Sequence, residues 1–265
     1  MTEILSYPFM QRAFIGGFLV GYLASYFGVF IVQRGLSFLG SGLAHAAFGG
    51  VAIGIMFQTE PLWISLPFTI IVALGITWIK ERTSLGGDTA IGIFFSVSMA
   101  IGIIILSLQR SYSTSALTYL FGSILAVSWT DIFLSSIIVM ISVILWPLWR
   151  NWAYSSFDQE LALSDHLPVR RDDYILSILI AVTVVVAMKM VGIVLVAAFL
   201  VIPAAAARIL SQTFHRMTLL SIAIGITSAC IGLYVSYYLD IPSGPTIILV
   251  QAASFLSALL LGGKR

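Results

Sequence analysis

Long apolar stretches separated by short polar punctuation dominate the chain. They run over residues 13–32, 37–57, 62–79, 89–108, 132–149, 174–190, 191–207, 217–239 and 242–261. Most approach the ~20 residues that a helix needs to cross ~30 Å of hydrocarbon at ~1.5 Å per residue. A β-barrel would show ~10-residue segments of alternating polarity, and runs such as ILSILIAVTVVVAMKMVGIVLVAAFLVIP do not alternate. The pattern therefore predicts an all-α polytopic membrane protein with about nine transmembrane helices. The stretches 174–190 and 191–207 are short and adjacent, so one bent element is the alternative for that pair. A tenth stretch, ALTYLFGSILAV at 116–127, is too short to span. It is expected to be a re-entrant or broken helix, tolerated only where protein or a cavity covers its backbone. No internal repeat or linker divides the chain, so residues 1–265 are expected to form one transmembrane domain.

Composition strengthens this reading. Of 265 residues, 60% are hydrophobic and 9% charged, with a mean hydropathy of +1.06, where soluble domains average about 25% charged. A net charge of +2 gives no basis for nucleic-acid binding. The single cysteine, Cys230, lies in an apolar run and excludes a disulfide framework or a cysteine metal cluster. The opening MTEILSYPFMQR has no basic region leading a short apolar core, so the first span is expected to act as its own uncleaved insertion signal.

Lysine and arginine near the spans give an orientation. Arg150, Arg170 and Arg171 in the longest polar loop, Lys80 and Arg82, Arg208 and Arg216, and Lys264 and Arg265 fall on one side if 116–127 does not cross. That side is expected to be cytoplasmic, with the C-terminus inside and the N-terminus outside. The other side then carries the mixed set Glu60, Arg110, Asp131, Lys189 and Asp240.

Against this background one stretch stands out, RGLSFLGSGLAHAAFGGVAIG at 34–54. Gly42, Ala46, Gly50 and Gly54 recur every fourth residue, a small-residue stripe that lets helices approach closely in lipid. His45 lies beside that stripe. A rise of ~1.5 Å per residue from Arg34 places it about 16 Å deep. An intramembrane imidazole is a functional candidate, and neutral imidazole is a good ligand for zinc and other transition metals. Its bland alternative is a hydrogen bond to a carbonyl on a neighbouring helix. Ser41, one turn earlier, shares its face. His166 and His215 are expected to be solvated loop residues.

Two further segments carry information. In SSFDQELALSD, residues 157–162 have the pattern of a short amphipathic helix with Asp158 and Glu160 near its N-terminus, suited to docking a soluble partner. In VGIVLVAAFLVIPAAAAR, Pro203 is expected to kink or end a helix, and Arg208 to mark the interface. The chain contains no phosphate-binding loop, no paired intramembrane carboxylates, no HExxH and no GxSxG. It is therefore expected to be no enzyme, and ATP hydrolysis is not its own. An ion-coupled secondary transporter would call for inverted repeats and intramembrane carboxylates, and an intramembrane enzyme for polar residues clustered at one interface.

Together these residues resemble the membrane subunits of zinc/manganese ABC importers. The 34–54 stretch is similar to that family's R-x-L-S-x-x-G-D-A-L-S-H-A-x-x-x-G-V-A-x-G pattern. GGDTAIGIFFS, LFGSILAVSWTDI, FDQELA and VGIVLVAAFLVIPAAAARIL are similar, in order, to four more of its segments. The resemblance implies a homodimeric permease in the bacterial inner membrane, driven by a cytoplasmic ATPase subunit and fed by an extracytoplasmic metal-binding protein. It implies no permanently bound cofactor, only a divalent Zn²⁺ or Mn²⁺ in transit. It carries a metal-ligand role to His45 and an ATPase-coupling role to Phe157, Asp158, Glu160 and Ala162. The family's acid four residues before the histidine is replaced by Ser41, a weak candidate ligand. Loss of that hard oxygen points to zinc over manganese. The glycine that often follows the coupling loop is absent as well.

Overall fold

The structure, a computed structural model, describes residues 6–108 and 124–262. Most of the 116–127 segment lies outside these residues; its described end is a short 3-10 turn, Ile124–Ala126. The described residues form eleven α-helices and no strand. These are α1 Pro8–Gln33, α2 Leu39–Met56, α3 Pro61–Arg82, α4 Gly87–Leu108, α5 Trp129–Ile144, α6 Trp149–Phe157, α7 Gln159–Ser164, α8 Val169–Val191, α9 Ile193–Leu210, α10 Phe214–Leu239 and α11 Ser243–Gly262. Eight are long and apolar enough to span a bilayer, and a ninth span arises if α5 and α6 are counted as one broken element. This agrees with the nine stretches read from the sequence.

Helix α1 runs through the middle, packed on α10, α9, α5 and α8, while α2 lies between α3 and α4, and α8 closes against α3. Small residues set these approaches. Gly21 of α1 faces Gly225 of α10 so closely that a methyl group on Gly21 would lie 3.1 Å from the Gly225 backbone. On α2, a methyl group at Gly50 would come within 2.5 Å of the Ser65 Cα, and one at Gly54 within 2.7 Å of the Pro61 Cα. The stripe read from the sequence is thus a packing face, directed at α3 through these two glycines and at Ile91 of α4 through Gly42.

One span differs from the sequence reading, and two alternatives left open there are narrowed. The 132–149 stretch is not one straight span: α5 stops at Ile144 and the chain bends by 53° into the segment beginning at Trp146. Pro147 explains this, because it offers no N–H and its ring opposes continuation past the preceding turn. The pair 174–190 and 191–207 is two helices, divided by Gly192 at φ 82°, a left-handed conformation that suits glycine. Pro203 does not end its helix; α9 continues through it to Leu210.

The loops before α4, α8 and α10, expected on one side, gather at one end of the bundle; Lys264 and Arg265 lie outside the described residues. Arg34 meets Ser155, Ser156 and Asp173, Tyr174 donates to Glu81, and Arg208 donates to the Val32 carbonyl. Glu60, Asp131 and Lys189 meet at the opposite end.

Candidate functional site

Ser41 and His45 lie one turn apart on α2, both half-buried. His45 Nδ1 is 2.8 Å from the Ser41 carbonyl oxygen and 3.4 Å from its Oγ. A carbonyl only accepts, so Nδ1 carries the proton, and the nitrogen that can offer a lone pair to an ion is Nε2. Phe95 of α4 stands nearly perpendicular to the imidazole, with ring centroids 5.2 Å apart. The ring is therefore held by its own helix on one edge and by an aromatic wall on another. The carbonyl that takes its proton belongs to α2 itself, so the bond leaves Nε2 uncommitted. Among the described residues, no three His, Cys, Asp or Glu side chains come together as a possible metal cage. At this position His45 presents one oriented nitrogen.

The segment around Phe157 is built as a projecting corner. Asp158 sits in extended conformation between α6 and α7, and its Oδ1 accepts the Leu161 N–H at 2.9 Å, capping α7. Glu160 occupies the first turn, where a carboxylate suits the helix dipole. Ala162 is fully buried and anchors the short helix, whereas Phe157, Leu161 and Leu163 are exposed. Phe157 is fixed by an edge-on contact with Phe214 at 5.5 Å. The corner ends where the His166 N–H bonds the Leu163 carbonyl and the Leu167 N–H bonds that of Ala162, with His166 at φ 58°. His166 therefore occupies a left-handed position, a conformation that glycine adopts more readily. His215 is exposed in the first turn of α10, yet it is not simply solvated: it stands edge-on against Trp146 and Trp149.

The sequence reading missed a group of residues beside this corner. The Arg34 guanidinium donates from Nε to Ser156 Oγ at 2.8 Å, from Nη2 to Ser155 Oγ at 3.2 Å and from Nη1 to Asp173 Oδ1 at 2.7 Å. Arg34 opens the 34–54 stretch, but its position at a helix end reads equally well as an interface marker, so sequence alone does not reveal these bonds. At the other end, Lys189 pairs with Asp131 at 3.0 Å and Glu60 at 3.3 Å, joining α8 to the starts of α5 and α3. Asp131 is also part of a capping box with Ser128.

The model of the ABC 3 transport family matches residues 6–262. The chain belongs to that family. The manganese transport system membrane protein MntC of Listeria monocytogenes is 37% identical, over 100% of this chain and 95% of the relative. The high-affinity zinc uptake system membrane protein ZnuB of Haemophilus influenzae is 31% identical over 98% of each. A solved structure of PsaBC from Streptococcus pneumoniae in complex with Fab superimposes with a TM-score of 0.84 at 34% identity, covering 97% of this chain and 92% of that one. The protein is accordingly a multi-pass permease subunit of a bacterial membrane, and ATP is hydrolysed by a partner subunit. Membership of the family also implies a solute-binding protein as partner.

Proposed function

We propose that this permease imports divalent transition-metal ions, zinc in preference to manganese, with His45 as a ligand in the translocation path. Relatives named for manganese and for zinc set the substrate class. The observation that carries the site is the His45 ring, whose Nδ1 is committed to the Ser41 carbonyl and whose Nε2 is left for an ion. Imidazole suits zinc, and hard carboxylate oxygens suit manganese. Position 41, where the family resemblance leads one to expect an acid, holds a serine whose hydroxyl lies near Nδ1 rather than extending the donor set as a carboxylate would.

A single nitrogen makes a weak site, and a weak site suits an ion that must leave again. The ion is cargo, delivered by the external binding protein and released to the cytoplasm. In a twofold homodimer, a second His45 would approach the same ion from the other subunit. Phe157, Asp158, Glu160 and Ala162 form the corner that docks on the ATPase, and ATP-driven closure reaches the bundle through it as a rocking of helices.

The test is reconstitution with the ATPase and binding protein in vesicles offered Zn²⁺, Mn²⁺ or Fe²⁺. Wild type takes up zinc best. His45→Ala loses uptake by roughly tenfold or more, within the range metal-site substitutions produce, and Ser41→Asp moves preference towards manganese. Wild-type zinc uptake by His45→Ala, or uptake without ATP, would overturn the reading.

A further inference from the structure

The turn between α1 and α2 is closed by two backbone bonds, Gly35 N–H to the Val32 carbonyl and Leu36 N–H to the Ile31 carbonyl, with Gly35 at φ 68°. This pairing satisfies the last carbonyls of α1 and leaves the turn little freedom. Leu39, the first residue of α2, then bonds back to the Leu36 carbonyl. Arg34 thus sits on a stiff corner that leads directly into the helix carrying His45, about 9 Å further along at ~1.5 Å per residue.

From that corner its guanidinium reaches outwards. Ser155 and Ser156 are the last residues before Phe157, so two of its bonds hold the base of the docking corner. The third holds Asp173 in the first turns of α8. The Arg34 and Asp173 side chains are only 13% and 10% exposed, so the pair is largely withdrawn from water. Arginine suits this role because its planar fork directs several donors at once, and a lysine ammonium cannot reproduce that geometry. Beside the pair lies a cleft of about 70 Å³, bordered by Arg34, Lys80, Gln159 and Asp173, which leaves room for the cluster to shift.

We infer that Arg34 is the positioning residue through which movement of the docking corner reaches α2 and, with it, His45. The inference rests on the coupling role proposed above for Phe157 to Ala162. When the ATPase displaces that corner, the Ser155 and Ser156 hydroxyls carry Arg34 along, and the stiff turn passes the displacement to α2 instead of absorbing it. Asp173 supplies the counter-charge that keeps the guanidinium oriented.

The test measures metal uptake per ATP hydrolysed in vesicles containing the permease–ATPase complex. Arg34→Gln is expected to keep ATPase association and hydrolysis near wild type while uptake per ATP falls about tenfold or more, a typical size for lost coupling between sites. Arg34→Lys falls similarly, because charge without the fork does not suffice. Ser155→Ala combined with Ser156→Ala leaves the Arg34–Asp173 ion pair intact, so it remains testable if Arg34→Gln does not fold; it too is expected to lower uptake per ATP. A purely structural staple would lower uptake and hydrolysis together, in step with loss of folded complex, and that result would overturn the inference. So would unchanged uptake per ATP in the serine double variant. Phe157→Ser serves as the separate control. If it assembles and transports like wild type, the coupling reading itself fails; if it loses both while Arg34→Gln transports normally, only the inference about Arg34 fails.

Discussion

His45 donates its Nδ1 proton to the carbonyl of Ser41 2.8 Å away, while the Ser41 hydroxyl stands off at 3.4 Å. The backbone, not the side chain, orients the imidazole. Ser41→Ala should therefore leave zinc uptake within about twofold of wild type, because a contact of that length contributes little as a hydrogen bond. His45→Ala should abolish most of it. Initial rates of uptake into vesicles decide the point, and equal losses in the two variants would make the hydroxyl a ligand.

Asp158 caps α7 through one hydrogen bond to the Leu161 N–H. Asp158→Ala should cost about 1 kcal/mol of local helix stability, which weakens ATPase binding roughly fivefold if the short helix must be formed to dock. Asp158→Asn retains an acceptor oxygen and should bind nearly as wild type. Titration of the ATPase subunit onto solubilised permease measures both.

His166 occupies a left-handed conformation at φ 58°. Relief of that strain by His166→Gly, less the extra chain entropy of glycine, should stabilise the protein by about 0.5–1 kcal/mol. The thermal midpoint of the purified permease should rise, and transport should be retained. A lower midpoint would show that the imidazole contributes more than its backbone strain costs.

Gln251 of α11 is completely buried, and neither its Oε1 nor its Nε2 has a hydrogen-bond partner. An unpaired buried amide carries a desolvation penalty of about 1–3 kcal/mol, so Gln251→Met, similar in length and free of strong polar groups, should raise the thermal midpoint. Gln251→Ala gains less, because it leaves a void. A fall in the midpoint of Gln251→Met would mean that the amide is paired in the assembled transporter.

Much of this architecture is legible from hydrophobic run length, because lipid forces every spanning backbone to satisfy its own hydrogen bonds. The every-fourth-residue glycines of α2 likewise report close approach directly, as Ser65 and Pro61 show. His45 is conspicuous for the opposite reason, as a titratable ring where nothing polar is needed for packing. The Arg34 cluster could not be read in this way. Its partners lie more than a hundred residues away along the chain, and serines and an aspartate near a helix end are ordinary in any sequence. The bend after Ile144 was available in Pro147, but the apolar run continues across the proline and masks it. At Pro203 the sequence leaves a kink and a helix end as alternatives, and α9 runs on through it to Leu210.

The 53° elbow after α5 is filled rather than hollow. Trp146 and Trp149 stack at 5.8 Å, and Phe214 packs on Trp149 at 5.5 Å. The elbow is thus a braced corner and not a loose hinge, so a push on the projecting segment is handed on to α10 through Phe214 instead of being lost at the bend.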